Sequence, residues 1–216
     1  MTLIEHIHAF FIAIIILTLT PGLDTALIIR NTSRAGFNGG AITSLGICSG
    51  LFVHATLSAI GVSAILAQSA QMFSVIKIIG SLYLVWLGIN GLRATIKGTP
   101  TLKLSGGEQV QSSRLKYLRE GFLSNVLNPK TAVFYLAFLP QFINPHGSVL
   151  LQSLAMASIH FGIAMIWQCG VAGALGSAKN LLKNSSFMRW MEGTTGVVLV
   201  TLGLVLMFEE SPSNIS

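Results

Sequence analysis

GFLSNVLNPKTAVFYLAFLPQF, residues 121–142, runs for 22 residues with a single charge, Lys130. Its length and apolarity suit a helix that crosses a bilayer, which takes about 20 residues. Yet Asn128-Pro129-Lys130 lies in its interior. Proline removes one backbone N–H and clashes with the preceding turn, so the helix must break there. Asn128 can cap a restarted helix. Broken backbone at membrane depth is tolerated only where protein or a water-lined cavity satisfies the freed groups. The segment therefore predicts a membrane helix with a polar site inside it.

The apolar character extends along the chain. Asp, Glu, Lys and Arg are absent from residues 6–23, 35–76, 78–92, 131–178 and 193–208. Splitting the two longest runs at 68–71 and 144–147 gives six spans, near 7–29, 39–67, 73–95, 120–143, 149–176 and 190–208. These are continuous runs, whereas barrel strands show roughly ten-residue alternating segments. The first run lacks Lys and Arg before it and leads into Thr20-Pro21-Gly22, so it reads as a span and not a cleaved signal peptide.

Of the 216 residues, 52% are hydrophobic and 9% charged, against roughly 25% charged in soluble domains. A soluble globular fold and a disordered chain are both excluded. Cys48 and Cys169 stand 121 positions apart, which makes neither a disulfide framework nor a four-ligand metal cage. No motif calls for a cofactor. The +6 charge would suit nucleic acid, but its placement points elsewhere. Arg30 and Arg34 lie in the first connection. Arg93, Lys97, Lys103, Arg114, Lys116 and Arg119 surround the third, and Lys179, Lys183 and Arg189 the fifth. The second and fourth connections hold no basic residue. Positive loops stay cytoplasmic, so both termini are expected on the outer side.

The longest connection, residues 98–118, is rich in Gly, Ser, Thr and charge and reads as a cytoplasmic linker. It divides one transmembrane domain into repeats 1–97 and 119–216. Leu19-Thr20-Pro21 resembles Leu127-Asn128-Pro129 at an offset of 108, and His54 matches His160 at 106. Gly80 and Leu87-Gly88 match Gly196 and Leu202-Gly203 at 116 and 115. Three spans per repeat force the second repeat to enter from the opposite side. The expected fold is thus an all-α integral membrane protein of six helices in two inverted three-helix repeats, with helices 1 and 4 broken at Pro21 and Pro129. By helical rise Pro21 lies about 21 Å below one edge and Pro129 about 13 Å above the other. In a core of about 30 Å those depths nearly coincide, and the breaks face one another around one central site. Corresponding broken helices in inverted repeats mark the binding site of a secondary transporter.

The candidate substrate- or proton-binding residues follow from these breaks: Pro21, Gly22, Asp24, Asn125, Asn128, Pro129 and Lys130. Asp24 suits a coupling proton or a substrate ammonium; the structural alternative is pairing with Arg30 or a backbone amide. Lys130 suits a substrate carboxylate or an ion pair with Asp24; its alternative is snorkelling to the interface. Asn125 and Asn128 offer hydrogen bonds to a ligand or to the broken backbone. His54 and His160 invite a relay reading, but a lone His on an apolar face is more often a satisfied core residue. Cys48 and Cys169 read as small packing residues. Gly46-x-x-x-Gly50 permits close helix approach, also in a homodimer. Tyr83 and Trp86 suit either the cavity or the interface.

Residues 121–132 with Phe134-Tyr135 and Phe138-Leu139-Pro140-Gln141-Phe142 resemble the signature of the lysine-exporter/RhtB family of amino-acid exporters. Thr20-Pro21-Gly22-Leu23-Asp24 resembles its first-helix motif, although the family usually has a second proline where this chain has Leu23. Gly36, Gly39, Gly40, Gly46 and Gly50, and the segment Gly80–Gly88, match as well. The resemblance spans essentially the whole chain. It implies a multi-pass protein of the bacterial inner membrane that exports amino acids or close derivatives, driven by the proton gradient. One three-helix block is expected to rock against the other in alternating access. A divalent-metal or other cation exporter is the runner-up; it would want clustered Asp, Glu, His or Cys. A membrane-embedded enzyme ranks lower, since a thiol enzyme needs a Cys pair within reach.

Overall fold

The computed structural model describes residues 7–20, 22–68, 70–97, 113–144, 147–175 and 185–208. These residues are almost entirely helical, with no strand among them. In chain order they form α1 (Ile7–Leu19), α2 (Leu23–Gln68), α3 (Ala70–Lys97), α4 (Arg114–Val126) and α5 (Pro129–Val133). A π-helical turn (Phe134–Phe138) and a 3-10 turn (Leu139–Phe142) follow, then α6 (Val149–Gly173) and α7 (Ser185–Phe208). Two stretches, Leu23–Gly61 and Val149–Gly173, are long and apolar enough to cross a membrane, and shorter apolar helices lie at Phe10–Leu19, Ile78–Arg93 and Gly196–Val205. Ile12, Ile60, Ile79, Trp86 and Ile166 are exposed. In water such a surface would be an aggregation liability; in a bilayer it meets lipid.

Three boundaries differ from the sequence expectation. The first and second spans, expected at 7–29 and 39–67, share α2. It runs through Arg30 and Arg34 and turns sharply at Ala35 and Gly36. Gly36 has φ 67°, a conformation that costs glycine nothing because it has no Cβ. The first limb (23–34) folds back on the second (37–68), and Asn31 donates to Thr43 Oγ1 at 3.0 Å. α4 begins at Arg114, inside the expected linker of 98–118, because Ser113 caps it by accepting from the Lys116 amide at 3.3 Å. The expected span 120–143 is interrupted not only near Pro129. It widens into the π turn ahead of Pro140, which has no N–H to donate to the preceding turn. Pro21 and most of the linker lie outside the described residues.

Membrane helices gain no hydrophobic drive from meeting each other and associate through close packing at small residues. A Cβ on Gly46 would collide with the Leu118 carbonyl of α4, and one on Gly121 with the Thr43 carbonyl of α2. The α3–α7 contact is reciprocal. A Cβ on Gly88 would stand 2.6 Å from the Gly196 carbonyl, and one on Gly196 2.7 Å from the Gly88 carbonyl. The tightest seams thus join elements from either side of the linker. The interior holds Phe10, Ile14, Leu51, Leu84, Tyr135, Phe138 and Met156 in one cluster.

Candidate functional site

The site forms where α1 gives way to α2 and α4 to α5. Thr20 turns its hydroxyl onto the Ile16 carbonyl at 2.7 Å, closing α1, and α2 opens at Leu23. Asp24 therefore sits in the first turn of α2, where the positive end of the helix dipole favours a carboxylate. Across from it, α4 stops at Val126, and Asn128 caps α5 by accepting from the Lys130 amide at 3.0 Å. Pro129 occupies the first turn of α5, where its missing N–H costs nothing.

These ends converge on Asp24. Its Oδ1 accepts from Ser124 Oγ at 2.7 Å, and its Oδ2 from Asn125 Nδ2 and Asn128 Nδ2 at 3.2 Å each. Lys130 reaches the opposite way, and its Nζ donates to the Thr20 carbonyl at 3.3 Å. That carbonyl belongs to the C-terminal end of α1, where a cation is favoured. Both charges thus complement the two ends that the first break exposes. Asp24 and Lys130 do not pair; among the described residues the ion pair present is Arg30–Glu120, at 2.5 Å.

Both side chains line one cavity of about 40 Å³, with Gly22, Asn125, Asn128 and Thr131 beside them. The lining also includes Ile47 and Leu51 from α2 and His160, Ala164 and Gln168, spaced four apart on α6. The volume admits water but not an amino acid, so a substrate of that size needs a more open state.

Against known families, residues 15–210 match the LysE type translocator family. The chain belongs to that family. Its relatives include an uncharacterized membrane protein, YrhP, of Bacillus subtilis (strain 168), 33% identical, covering 87% of this chain and 91% of the relative. An uncharacterized membrane protein of Vibrio cholerae is 31% identical, covering 92% and 94%. The homoserine/homoserine lactone efflux protein of Salmonella typhi is 28% identical, covering 94% and 96%. No solved structure matches. A LysE type translocator is a membrane protein of a transport family, not of an enzyme family.

Of the residues singled out in the sequence of this translocator, Gly22, Asp24, Asn125, Asn128 and Lys130 line the shared cavity. Pro129 is exposed and outside that lining, and Pro21 lies outside the described residues. His160 reaches the cavity and pairs its Nδ1 with the Tyr135 hydroxyl at 3.0 Å, whereas His54 does not line it. Cys48 is buried and Cys169 partly so, both as free thiols. Tyr83 and Trp86 pack on each other, 5.6 Å between ring centroids, away from the cavity. Among the described residues no three His, Cys, Asp or Glu side chains converge. The sequence reading misses Ser124, Thr18 and Gln168. Ser124 is legible in principle, four positions before Asn128 and so on the same helical face. Gln168 lies eight after His160, on that residue's face.

Proposed function

We propose that this chain is a secondary transporter of the inner membrane that exports amino acids or close derivatives by alternating access, coupled to protons. The observation that carries the reading is the pair of opposite, mutually unpaired charges on one cavity, Asp24 and Lys130. A zwitterion offers each a partner: ammonium for Asp24, carboxylate for Lys130. The Salmonella relatives, named for efflux of homoserine and its lactone, support this substrate class.

The arrangement proposed is six spans in two inverted repeats, 1–97 and 119–216, with helices 1 and 4 broken at Pro21 and Pro129 and both termini outside. The first limb of α2 suits the moving part better than a whole three-helix block. It meets α4 through polar contacts, Asp24 to Ser124 and Arg30 to Glu120, which water or substrate can replace. The second limb meets α4 backbone to backbone, at Gly46 and Gly121, and suits the static scaffold.

Purified protein in liposomes, given labelled amino acids with and without a pH gradient, tests the proposal. Accumulation that follows the gradient in the wild type, and is lost in Asp24→Asn, is expected. No transport of any amino acid by folded protein would sink it.

A further inference from the structure

We infer that the side-chain pocket of this site selects an uncharged, hydrogen-bonding side chain, and that Thr18 and Gln168 set this preference. The inference rests on the exporter reading and narrows its substrate class. The first half follows from counting charges. Among the described residues that line the cavity, Asp24 is the one acid and Lys130 the one full cation. A zwitterion's own ammonium and carboxylate occupy both. Glu120, the nearest acid toward the Arg30 end, is tied to Arg30 and Asn31. The second ammonium of a dibasic amino acid therefore finds no carboxylate, and the second carboxylate of an acidic one no free cation. An unpaired charge at membrane depth is strongly disfavoured.

The second half follows from the polar atoms left over. Thr20, Thr43, Thr56 and Thr95 each turn the hydroxyl back on the carbonyl four residues earlier. Thr18 does not. Its Oγ1 is buried, lines the cavity and has no partner among the described residues. A buried hydroxyl left unpaired is costly unless a ligand takes the bond. In the same lining, on α6, the Gln168 Oε1 meets only the Cys48 thiol at 3.7 Å, and its amide nitrogen has no partner among the described residues. Thr18 and Gln168 thus bring a hydroxyl and a carboxamide to a lining that also holds the apolar Ala164, Ile47 and Leu51. A substrate hydroxyl finds unmet polar atoms in that lining. An isosteric methyl leaves both unmet.

Counterflow in liposomes with four labelled probes tests this: threonine against its isostere valine, and lysine against norleucine. Threonine is expected to exchange at least tenfold better than valine, and norleucine better than lysine. Thr18→Val or Gln168→Leu should bring the threonine/valine ratio to within about threefold of unity, while Thr18→Ser keeps it. The variants are compared at equal amounts of monodisperse protein, so a folding defect lowers both probes and leaves the ratio intact. Lysine moving as well as norleucine, or an unchanged ratio in both variants, overturns the inference and leaves amino-acid export standing. Exchange of none of the four removes both.

Discussion

His54 Nε2 meets the backbone carbonyl of Asn125 at 2.9 Å in the protein interior. A carbonyl only accepts, so this nitrogen carries the hydrogen. In an unbroken helix that carbonyl would accept from residue 129, which is proline and has no N–H. His54 replaces the missing bond, alongside the Asn128 amide at 2.9 Å. One turn further, Ser58 Oγ donates to the Tyr135 carbonyl at 2.7 Å. In the π register its partner would be Pro140, again without an N–H. One turn earlier, Gly50 leaves room for the Asn125 side chain. Residues 50, 54 and 58 form one face of α2 that receives the broken segment. His54→Leu is therefore expected to raise the KM for transport several-fold, from roughly 0.5–1.5 kcal/mol for one lost bond to a carbonyl that keeps the Asn128 amide. His54→Gln, which retains a donor, should stay close to wild type, with its dependence on the pH gradient intact. Loss of gradient dependence in His54→Gln would instead mark this residue as a proton carrier.

Among the described residues Ser124 supplies the one donor to Asp24 Oδ1, while Asn125 and Asn128 share Oδ2. Ser124→Ala removes one charge-assisted bond, worth about 1.5–3 kcal/mol. Substrate no longer has to displace that bond, so its affinity in proteoliposomes should rise by roughly tenfold. Gradient-driven accumulation should persist, unlike in Asp24→Asn. A Ser124→Ala protein as inactive as Asp24→Asn would mean that the hydroxyl itself takes part in translocation.

The glycine seams predict a sharp contrast between positions. Gly46→Ala and Gly121→Ala push a methyl into backbone carbonyls that cannot yield alone, so the helices must separate. Overpacking of this kind costs about 1–3 kcal/mol, a clear fall in melting temperature in detergent. At Gly61 and Gly162 an added methyl would meet nothing within 4 Å, and alanine there should be neutral or slightly stabilising. Equal melting temperatures across all four variants would refute the close approach of α2 and α4.

Much of this is legible in the sequence because charge and proline are scarce in a membrane protein. Asp24 and Lys130 stand out as ionisable groups inside apolar runs, and Asn128 beside Pro129 announces a cap. The structure brings those residues to one cavity. The sharp turn at Ala35–Gly36 is hidden, since helix continues through Arg30 and Arg34 and only the backbone angles of these two residues depart from it. The π turn is hidden too, because Pro140 lies near the end of its span, where a proline usually signals an exit. His54 and His160 match as a pair by spacing, yet their duties differ. One holds the broken backbone, and the other lines the cavity and meets the Tyr135 hydroxyl. Spacing gives the face of a helix but not the atom across from it. Thr18 is invisible for the same reason: only the fold tells which hydroxyl lacks a partner.

Arg30 lies about two turns beyond Asp24, and Glu120 about one turn from Ser124, on the same two helices, toward the turn at Gly36. Their ion pair closes the seam between the first limb and α4 at that end, and Asn31 adds a bond to the same Glu120 oxygen at 3.1 Å. If the limb swings to admit substrate, this contact must open first. Its side chains are 37% and 28% exposed, which limits the pair to about 0.2–1 kcal/mol after screening. Arg30→Gln and Glu120→Gln should each speed substrate exchange without a gradient by up to about fivefold, and weaken accumulation through leak. The reversed double variant, Arg30→Glu with Glu120→Arg, should recover much of the accumulation, since the attraction is restored with its sign exchanged. A double variant that leaks as much as either neutralised one would mean that these residues hold the limb through Asn31 and geometry and not through charge.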